Sequence, residues 1–197
     1  MTGPEAFNRK PPPLEISADP CALLVADLHL RHRPPTARSV EPSWYGVMER
    51  QLAQLSALVE QYRCPVFCAG DVFDDGWRAH RCPPELINFA LKHLPSMYAI
   101  CGQHDLPHHR LADIQRSAFW TLVEARKIVY VPPGQPVEAQ GSRVPIRLWG
   151  FSWGVELTPL NKPCAVALEV ALVHHYLWVK GKGHLGASVD KRLKSVK

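Results

Sequence analysis

Three short polar motifs could do chemistry, because each follows an apolar run that is typical of a buried strand. They are Asp27-Leu28-His29, Gly70-Asp71 and Gly102-Gln103-His104-Asp105. A later apolar run ends in His174-His175, which adds residues of the same kind. Carboxylate oxygens and neutral imidazole nitrogens bind divalent ions, whereas packing does not require them at the end of a strand. The order and placement of the motifs therefore favour a metal site at one edge of a sheet.

The spacing of the motifs suits a pair of ions. Residues i and i+2 of an extended strand point to the same side, so Asp27 and His29 can both bind a first metal. Asp71 can bridge to a second metal, which His174 can also reach. Two ions roughly 3.5–4 Å apart clamp a phosphate, activate a water and stabilise the leaving oxygen. His104 is the candidate to donate a proton or to bind the charge that develops on the phosphate.

Asp105 follows His104 directly in the third motif. We expect Asp105 to orient the imidazole of His104, as carboxylates often do for catalytic histidines. Taken singly, Asp-x-His is more often a turn with a surface histidine, and His174-His175 is an ordinary pair at the end of a strand. All the motifs in this order, each at the end of a strand, favour the metal site.

The apolar patterns predict the elements that position the motifs. An alternation of strands and amphipathic helices predicts an α/β fold with a largely parallel sheet. After Pro132-Pro133-Gly134 two strands follow with no clear helix between them, which predicts a second sheet. The predicted strands are 21–26, 65–69, 97–101, 128–131, 144–153 and 165–173; the predicted helices are 45–62, one that opens at Pro83-Pro84, and 111–125.

Composition suits one globular domain. The chain has 197 residues, of which 46% are hydrophobic and 21% charged. We expect an irregular lead-in over 1–20, the domain over 21–189 and a basic tail over 190–197. No apolar signal region and no run of about 18 apolar residues is present, so we expect a cytoplasmic protein without a membrane span. The six cysteines lack zinc spacing and are expected to be reduced and mostly buried.

The ordered motifs resemble those of the calcineurin-like metallophosphoesterases, whose signature is Asp-x-His, Gly-Asp, Gly-Asn-His-Asp/Glu, His and Gly-His-x-His. The resemblance covers roughly residues 21–178. It implies a two-sheet αββα sandwich and a phosphoesterase that uses a metal-activated hydroxide. It implies two divalent ions, first of all Mn²⁺, with Fe or Zn as alternatives. The implied metal ligands are Asp27, His29, Asp71, Gln103 and His174, and the implied catalytic residues are His104 and Asp105.

Two stretches are most similar to the branch of DNA-repair exonucleases and phage-type phosphoesterases. They are Gly-Gln-His-Asp-Leu-Pro with its following histidine, and Gly150-Phe151-Ser152-Trp153. This branch implies a phosphodiesterase or nuclease that acts on DNA or RNA. A phosphomonoesterase acting on proteins or nucleotides is a further alternative.

The sequence departs from the family signature at two places. Gln103 stands where the family usually has asparagine, and Gly183-His184-Leu185-Gly186 holds only one of the two histidines of Gly-His-x-His. We therefore expect the last strands and their ligands to be missing from the chain. Truncation or a frameshift would explain this, or a partner chain would supply the ligands. The alternative function is then an inactive domain that binds nucleic acid or a protein partner.

Basic residues follow the ligand motifs, and loops that leave one edge of the sheet would gather them into a substrate-binding rim. Ordinary solvated loops are the alternative. Trp44, Tyr45 and Trp77 could stack on bases, although packing in the core or in a lid is favoured. The predicted rim residues are Arg31, Arg33, Arg78, His108, His109 and Arg110.

Overall fold

A four-stranded parallel sheet forms the first layer of the protein. The computed structural model describes residues 19–74, 82–158, 166–179 and 194–196. The strands β1 (Leu23–Val25), β2 (Val66–Cys68), β3 (Met97–Ala99) and β4 (Ile128–Tyr130) follow one another in space in chain order. The alternation predicted from the sequence is therefore confirmed for this layer. Among the described residues, no helix is long and apolar enough to cross a membrane.

Three helices connect these strands, and local residues explain their limits. Helix α1 (Trp44–Tyr62) is capped by the Ser43 side chain, which accepts a hydrogen bond from the N–H of Gly46. Helix α2 (Pro84–His93) has proline in its first turn, where no N–H is needed. Helix α3 spans Ala118–Glu124.

The helix predicted over 111–125 is wrong in its extent. Residues Leu111–Arg116 form a 3₁₀ helix, and the α-helix begins only after Ser117. Ser117 has an extended backbone, and its hydroxyl accepts a hydrogen bond from the N–H of Trp120 at 3.1 Å. Because serine competes for backbone hydrogen bonds, it starts a new helix here rather than continuing the previous turn.

A second sheet packs on the first. It contains β5 (Val137–Gln140), β6 (Pro145–Phe151) and β7 (Leu168–Val173), with β5 antiparallel and β7 parallel to β6. The short strand β5 was not predicted. The parallel sheet and the second sheet confirm the predicted fold class. A further strand, β8 (Leu177–Val179), pairs in parallel with β9 (Lys194–Val196), inside the stretch predicted as a basic tail.

Apolar side chains cover both faces of the first sheet. On one face the helices supply fully buried residues such as Leu86 and Phe119. On the other face Phe67 and Ile100 pack with Ile146 of the second sheet. Burial on both faces explains why the strands are short, nearly continuous apolar runs.

Contacts at the ends of the strands place the second sheet beside the loops of the first. The N–H of Trp153, after β6, donates to the carbonyl of Cys101 at 3.1 Å. The N–H of His174, after β7, donates to the carbonyl of Phe151 at 3.0 Å. The end of β7 is thereby brought to the loops that follow β1, β2 and β3.

Candidate metal centre

The loops after β1 and β2 run side by side and hold the first two motifs together. The N–H of Asp27 donates to the carbonyl of Gly70, and the N–H of His29 donates to that of Asp71, each at 3.0 Å. Asp27, His29 and Asp71 have φ angles of 54°, 45° and 53°. This left-handed conformation is unfavourable for residues other than glycine and concentrates at functional sites. Three predicted ligands are thus held by backbone that carries local strain.

Asp71 lies at the centre of the site, with only 1% of its surface exposed. Its Oδ1 accepts a hydrogen bond of 2.9 Å from the N–H of His104. Its Oδ2 lies 3.3 Å from Nε2 of His174 and 3.9 Å from Nε2 of His29. Asp27 completes the group, with Oδ1 3.6 Å from the same nitrogen of His29. One oxygen of Asp71 therefore lies between histidines from the first and the last motif.

His174 presents its Nε2 to oxygen atoms that are acceptors. Its Nδ1 lies 2.7 Å from the carbonyl oxygen of Ala69, so this nitrogen carries a hydrogen and donates it. Its Nε2 then faces Gln103 Oε1 at 2.8 Å and Asp71 Oδ2 at 3.3 Å. A neutral ring would place a lone pair against these oxygens, so the group needs either a proton or a metal cation at its centre.

The contact between Asp71 and His174 shifts the pKa values of both side chains. Burial raises the pKa of Asp71, but the hydrogen bond and charge of His174, with the His104 N–H, outweigh it and lower that pKa below its usual value. Burial lowers the pKa of His174, but the Asp71 carboxylate outweighs it and raises that pKa. Both shifts favour the charged forms of the two side chains, with a carboxylate at Asp71 and a protonated ring at His174.

The donor set fits a divalent cation. Asp27, Asp71 and His174 each offer one ligand atom, and these atoms lie within 4.8 Å of one another. Carboxylate oxygens with an imidazole nitrogen suit first-row divalent metals. The neighbouring His175 is not part of this group of donor atoms, and its ring stacks on Trp153 with ring centroids 6.3 Å apart.

Two glycines of the motifs are required by close approach. A Cβ atom at Gly102 would lie 2.0 Å from Asp71 Oδ1. A Cβ atom at Gly70, where φ is +103°, would lie 2.7 Å from Nδ1 of His174. Neither position accepts a side chain without moving a predicted ligand.

Asp105 faces backbone N–H groups, and the structure does not show the predicted contact between its carboxylate and His104. It is 1% exposed, and its oxygens accept hydrogen bonds from the N–H groups of Phe73 at 2.9 Å and Gly102 at 3.0 Å. Burial raises the pKa of Asp105 to about 7, although these N–H groups act in the opposite direction. Asp105 therefore joins the loops after β2 and β3, on which the other motif residues lie.

Nδ1 of His104 faces Asp74 instead. The Nδ1 of His104 lies 3.2 Å from the carbonyl oxygen of Asp74 and 3.6 Å from its Oδ1. The Oδ1 of Asp74 also lies 3.1 Å from Nδ1 of His29, and the Oδ2 of Asp74 pairs with Arg31. Since both groups that face His104 Nδ1 are acceptors, this nitrogen carries the hydrogen and Nε2 is left for a substrate.

The sequence signal for Asp74 was a second carboxylate three positions after Asp71, separated from it by two apolar residues. Val72 and Phe73 are both fully buried. Their burial holds the backbone on either side of them and so places both carboxylates in the same site.

The predicted rim residues differ in their contacts and in their exposure. Arg31 lies at the site but is paired with Asp74. His109 lies in the 3₁₀ helix Pro107–His109, and its Nδ1 is 2.8 Å from the carbonyl oxygen of Gln103. Arg110 is exposed and lies 3.6 Å from Asp113. Arg33 and His108 are also exposed. Arg78, like Trp77, lies outside the described residues.

A parallel sheet with a second sheet packed on it, and carboxylates and imidazoles gathered at the strand ends, is the arrangement expected of a metal-dependent phosphoesterase. The family model described as calcineurin-like phosphoesterase matches residues 22–182. The chain belongs to this family, which implies divalent metal ions at the centre. A comparison with curated proteins finds no match to the chain.

Proposed function

We propose that this protein is a phosphodiesterase of the nuclease type, which cleaves nucleic acid with two divalent ions, Mn²⁺ foremost. One observation carries the proposal: Asp71 Oδ2 lies between Nε2 of His29 and Nε2 of His174, at 3.9 and 3.3 Å. A carboxylate in that position suits a bridging ligand between two ions. This is the role that the sequence motifs suggest for Asp71.

The ligand sets divide between the two sides of Asp71. Asp27 and His29 would hold one ion, and Gln103 and His174 the other. Bound there, the ions would neutralise phosphate charge and lower the pKa of a water that attacks phosphorus. Nδ1 of His174 is held by a backbone carbonyl, which fixes the orientation of its ring toward the ion.

His104 supplies the protein's own acid–base group. Asp74 holds the hydrogen on Nδ1, so a protonated ring would present Nε2–H to the phosphate or to the leaving oxygen. The His104 backbone N–H is also bound to Asp71 Oδ1. The ring is therefore tied by its own backbone to the residue that would bridge the ions.

A nucleic-acid substrate is favoured by basic side chains beside the centre. His109 lies against Gln103, and the exposed residues His108 and Arg110 follow in the same segment. The chain has a formal net charge of +5. Histidine and arginine side chains that can donate hydrogen bonds around a phosphate-binding centre suit a substrate with several phosphates.

A second candidate function is metal-independent binding of nucleic acid without hydrolysis. The sequence favours it at one point, because Gly183-His184-Leu185-Gly186 has a glycine where the family motif has its second histidine. A centre short of ligands would bind metal weakly, while the basic side chains would still bind phosphates.

The test is cleavage of end-labelled DNA oligonucleotides in Mn²⁺, with p-nitrophenyl phosphate as a monoester beside them. We expect the wild type and Glu138→Gln, a control on β5, to cleave DNA, and Asp71→Asn and His104→Ala to lose cleavage. Salt-sensitive DNA binding without any hydrolysis would support the second candidate. Preferential hydrolysis of the monoester would contradict the diesterase proposal.

A further inference from the structure

A pocket of about 250 Å³ opens directly beside the candidate metal centre. It lies between the loop after β1 and the first turns of α1. Two residues of the centre, His29 and Asp74, also line this pocket. A group that enters the pocket can therefore belong to the same molecule as a phosphate bound at the centre.

The remaining walls are partly apolar and partly polar. Leu28, Pro35, Trp44 and Met48 supply the apolar part, and Arg31 and Gln51 supply the polar part. A second cavity of about 190 Å³ adjoins the pocket and shares Leu28, Met48 and Gln51 with it. Apolar surface with a few polar groups, next to a charged centre, suits a ring that carries polar atoms and is attached to a phosphate.

Trp44 is held in place before any ligand arrives. Its Nε1–H donates a hydrogen bond of 2.9 Å to the carbonyl oxygen of Arg31. The guanidinium of Arg38 lies over its ring, 5.7 Å from the centroid, and Arg38 is itself bound to Glu41 at 2.7 Å. A fixed indole in a binding site contributes contact area at little cost in conformational entropy.

The volume limits the size of the ligand. Pockets for drug-sized ligands measure roughly 300–1,000 Å³, so this pocket suits one flat ring system rather than a whole nucleotide. We propose that the Trp44 pocket binds the nucleobase next to the phosphate that is cleaved. The inference rests on the proposed function and adds to it a site that recognises the base.

The test compares pairs of ligands that differ only in the ring. Phenylphosphonate and methylphosphonate are titrated into the Mn²⁺-loaded protein by calorimetry, and adenosine 5′-phosphate is compared with ribose 5-phosphate. We expect the ligand with the ring to bind about 10-fold more tightly in each pair, which is the scale of stacking on one aromatic side chain. These binding measurements do not require the protein to be active.

Variants assign the selectivity to the pocket. Trp44→Leu should abolish the preference for the ring, whereas Trp44→Phe, which keeps an aromatic face, should retain most of it. Trp120→Leu is the matched control, because Trp120 is also half-buried and donates through Nε1 to Glu124 at 2.8 Å, but on α3. If Trp44→Leu does not fold, the comparison of ligands in the wild type still decides the question.

The outcomes separate this inference from the proposed function. Equal binding of the two ligands in each pair would overturn the pocket, even if DNA is cleaved. Failure of all four ligands to bind would also overturn it. A preference for phenylphosphonate without one for adenosine 5′-phosphate would overturn the nucleobase assignment. Selective binding that depends on Trp44, without cleavage of DNA, would support the pocket and refute the proposed nuclease.

Discussion

Replacing Asp74 with asparagine tests whether one carboxylate orients two histidines of the metal centre. The Asp74 side chain is 14% exposed, and its Oδ1 lies 3.1 Å from Nδ1 of His29 and 3.6 Å from Nδ1 of His104. Its second oxygen pairs with Arg31. Asparagine keeps the shape of the side chain but removes the charge that all three partners face.

The expected loss can be estimated from these contacts. Nδ1 of His29 makes no hydrogen bond of good geometry, and Nδ1 of His104 faces the backbone carbonyl of Asp74, so the carboxylate acts on both rings through its charge. Loss of a partner that orients a metal-binding histidine typically costs about 10–100-fold in metal affinity or activity. We therefore expect Asp74→Asn to weaken Mn²⁺ binding by about 10–100-fold. Arg31 reaches solvent, so the loss of its ion pair should lower the free energy of unfolding by only about 1 kcal/mol or less.

The assay is calorimetric titration of Mn²⁺ into metal-free protein, with unfolding by urea measured alongside. Asp113→Asn is the matched control, because Asp113 also pairs with arginines, at 3.6 Å from Arg110 and 3.8 Å from Arg116, but contacts no histidine of the centre. Unchanged Mn²⁺ affinity in Asp74→Asn, or an equal loss in Asp113→Asn, would refute the assigned role of Asp74.

Three other substitutions give further predictions. His104→Ala should abolish hydrolysis and leave Mn²⁺ affinity within a few-fold in calorimetry, and an equally large loss of both would contradict its assignment to acid–base chemistry. Gly102→Ala should lower the melting temperature and the Mn²⁺ affinity, because the added Cβ would lie 2.0 Å from Asp71 Oδ1. Gly134→Ala is the control, since no atom lies within 4 Å of its added Cβ, and it should affect only stability. The pKa of Asp105 is raised to about 7 from 3.8, so the folded state holds its proton more tightly. The free energy of unfolding should then fall as pH rises from about 4 to 7, and this slope should be smaller in Asp105→Asn, as measured by urea denaturation; equal slopes would contradict the shift.

The first sheet could be predicted from the sequence because its central strands, β2 and β3, are largely buried, and the edge strands β1 and β4 are apolar too, although Leu24 and Val129 are exposed. Such strands are apolar runs, and the polar residue after each run marks where the strand ends. The predicted strands 65–69 and 97–101 contain the observed β2 and β3. The ends of parallel strands meet at one edge, which is why Asp27 and Asp71 could be placed in one site.

Other features depend on particular hydrogen-bond partners, some of them distant in sequence, that the residue types do not reveal. Asp105 binds backbone N–H groups, including that of Phe73, which is 32 positions away. Nothing in the residue types distinguishes this role from that of Asp74. The strand β5 escaped prediction because its four residues form a strand only by pairing with β6, and the break at Ser117 depends on a local cap.

The most direct test of the metal centre is Mn²⁺-dependent hydrolysis of bis(p-nitrophenyl) phosphate by the wild type and by Asp71→Asn. We expect hydrolysis by the wild type that requires the metal, and a rate in Asp71→Asn lower by about 100-fold or more, since the carboxylate proposed to bridge the two ions is lost. Equal rates in the two proteins, or no hydrolysis by the wild type, would contradict it.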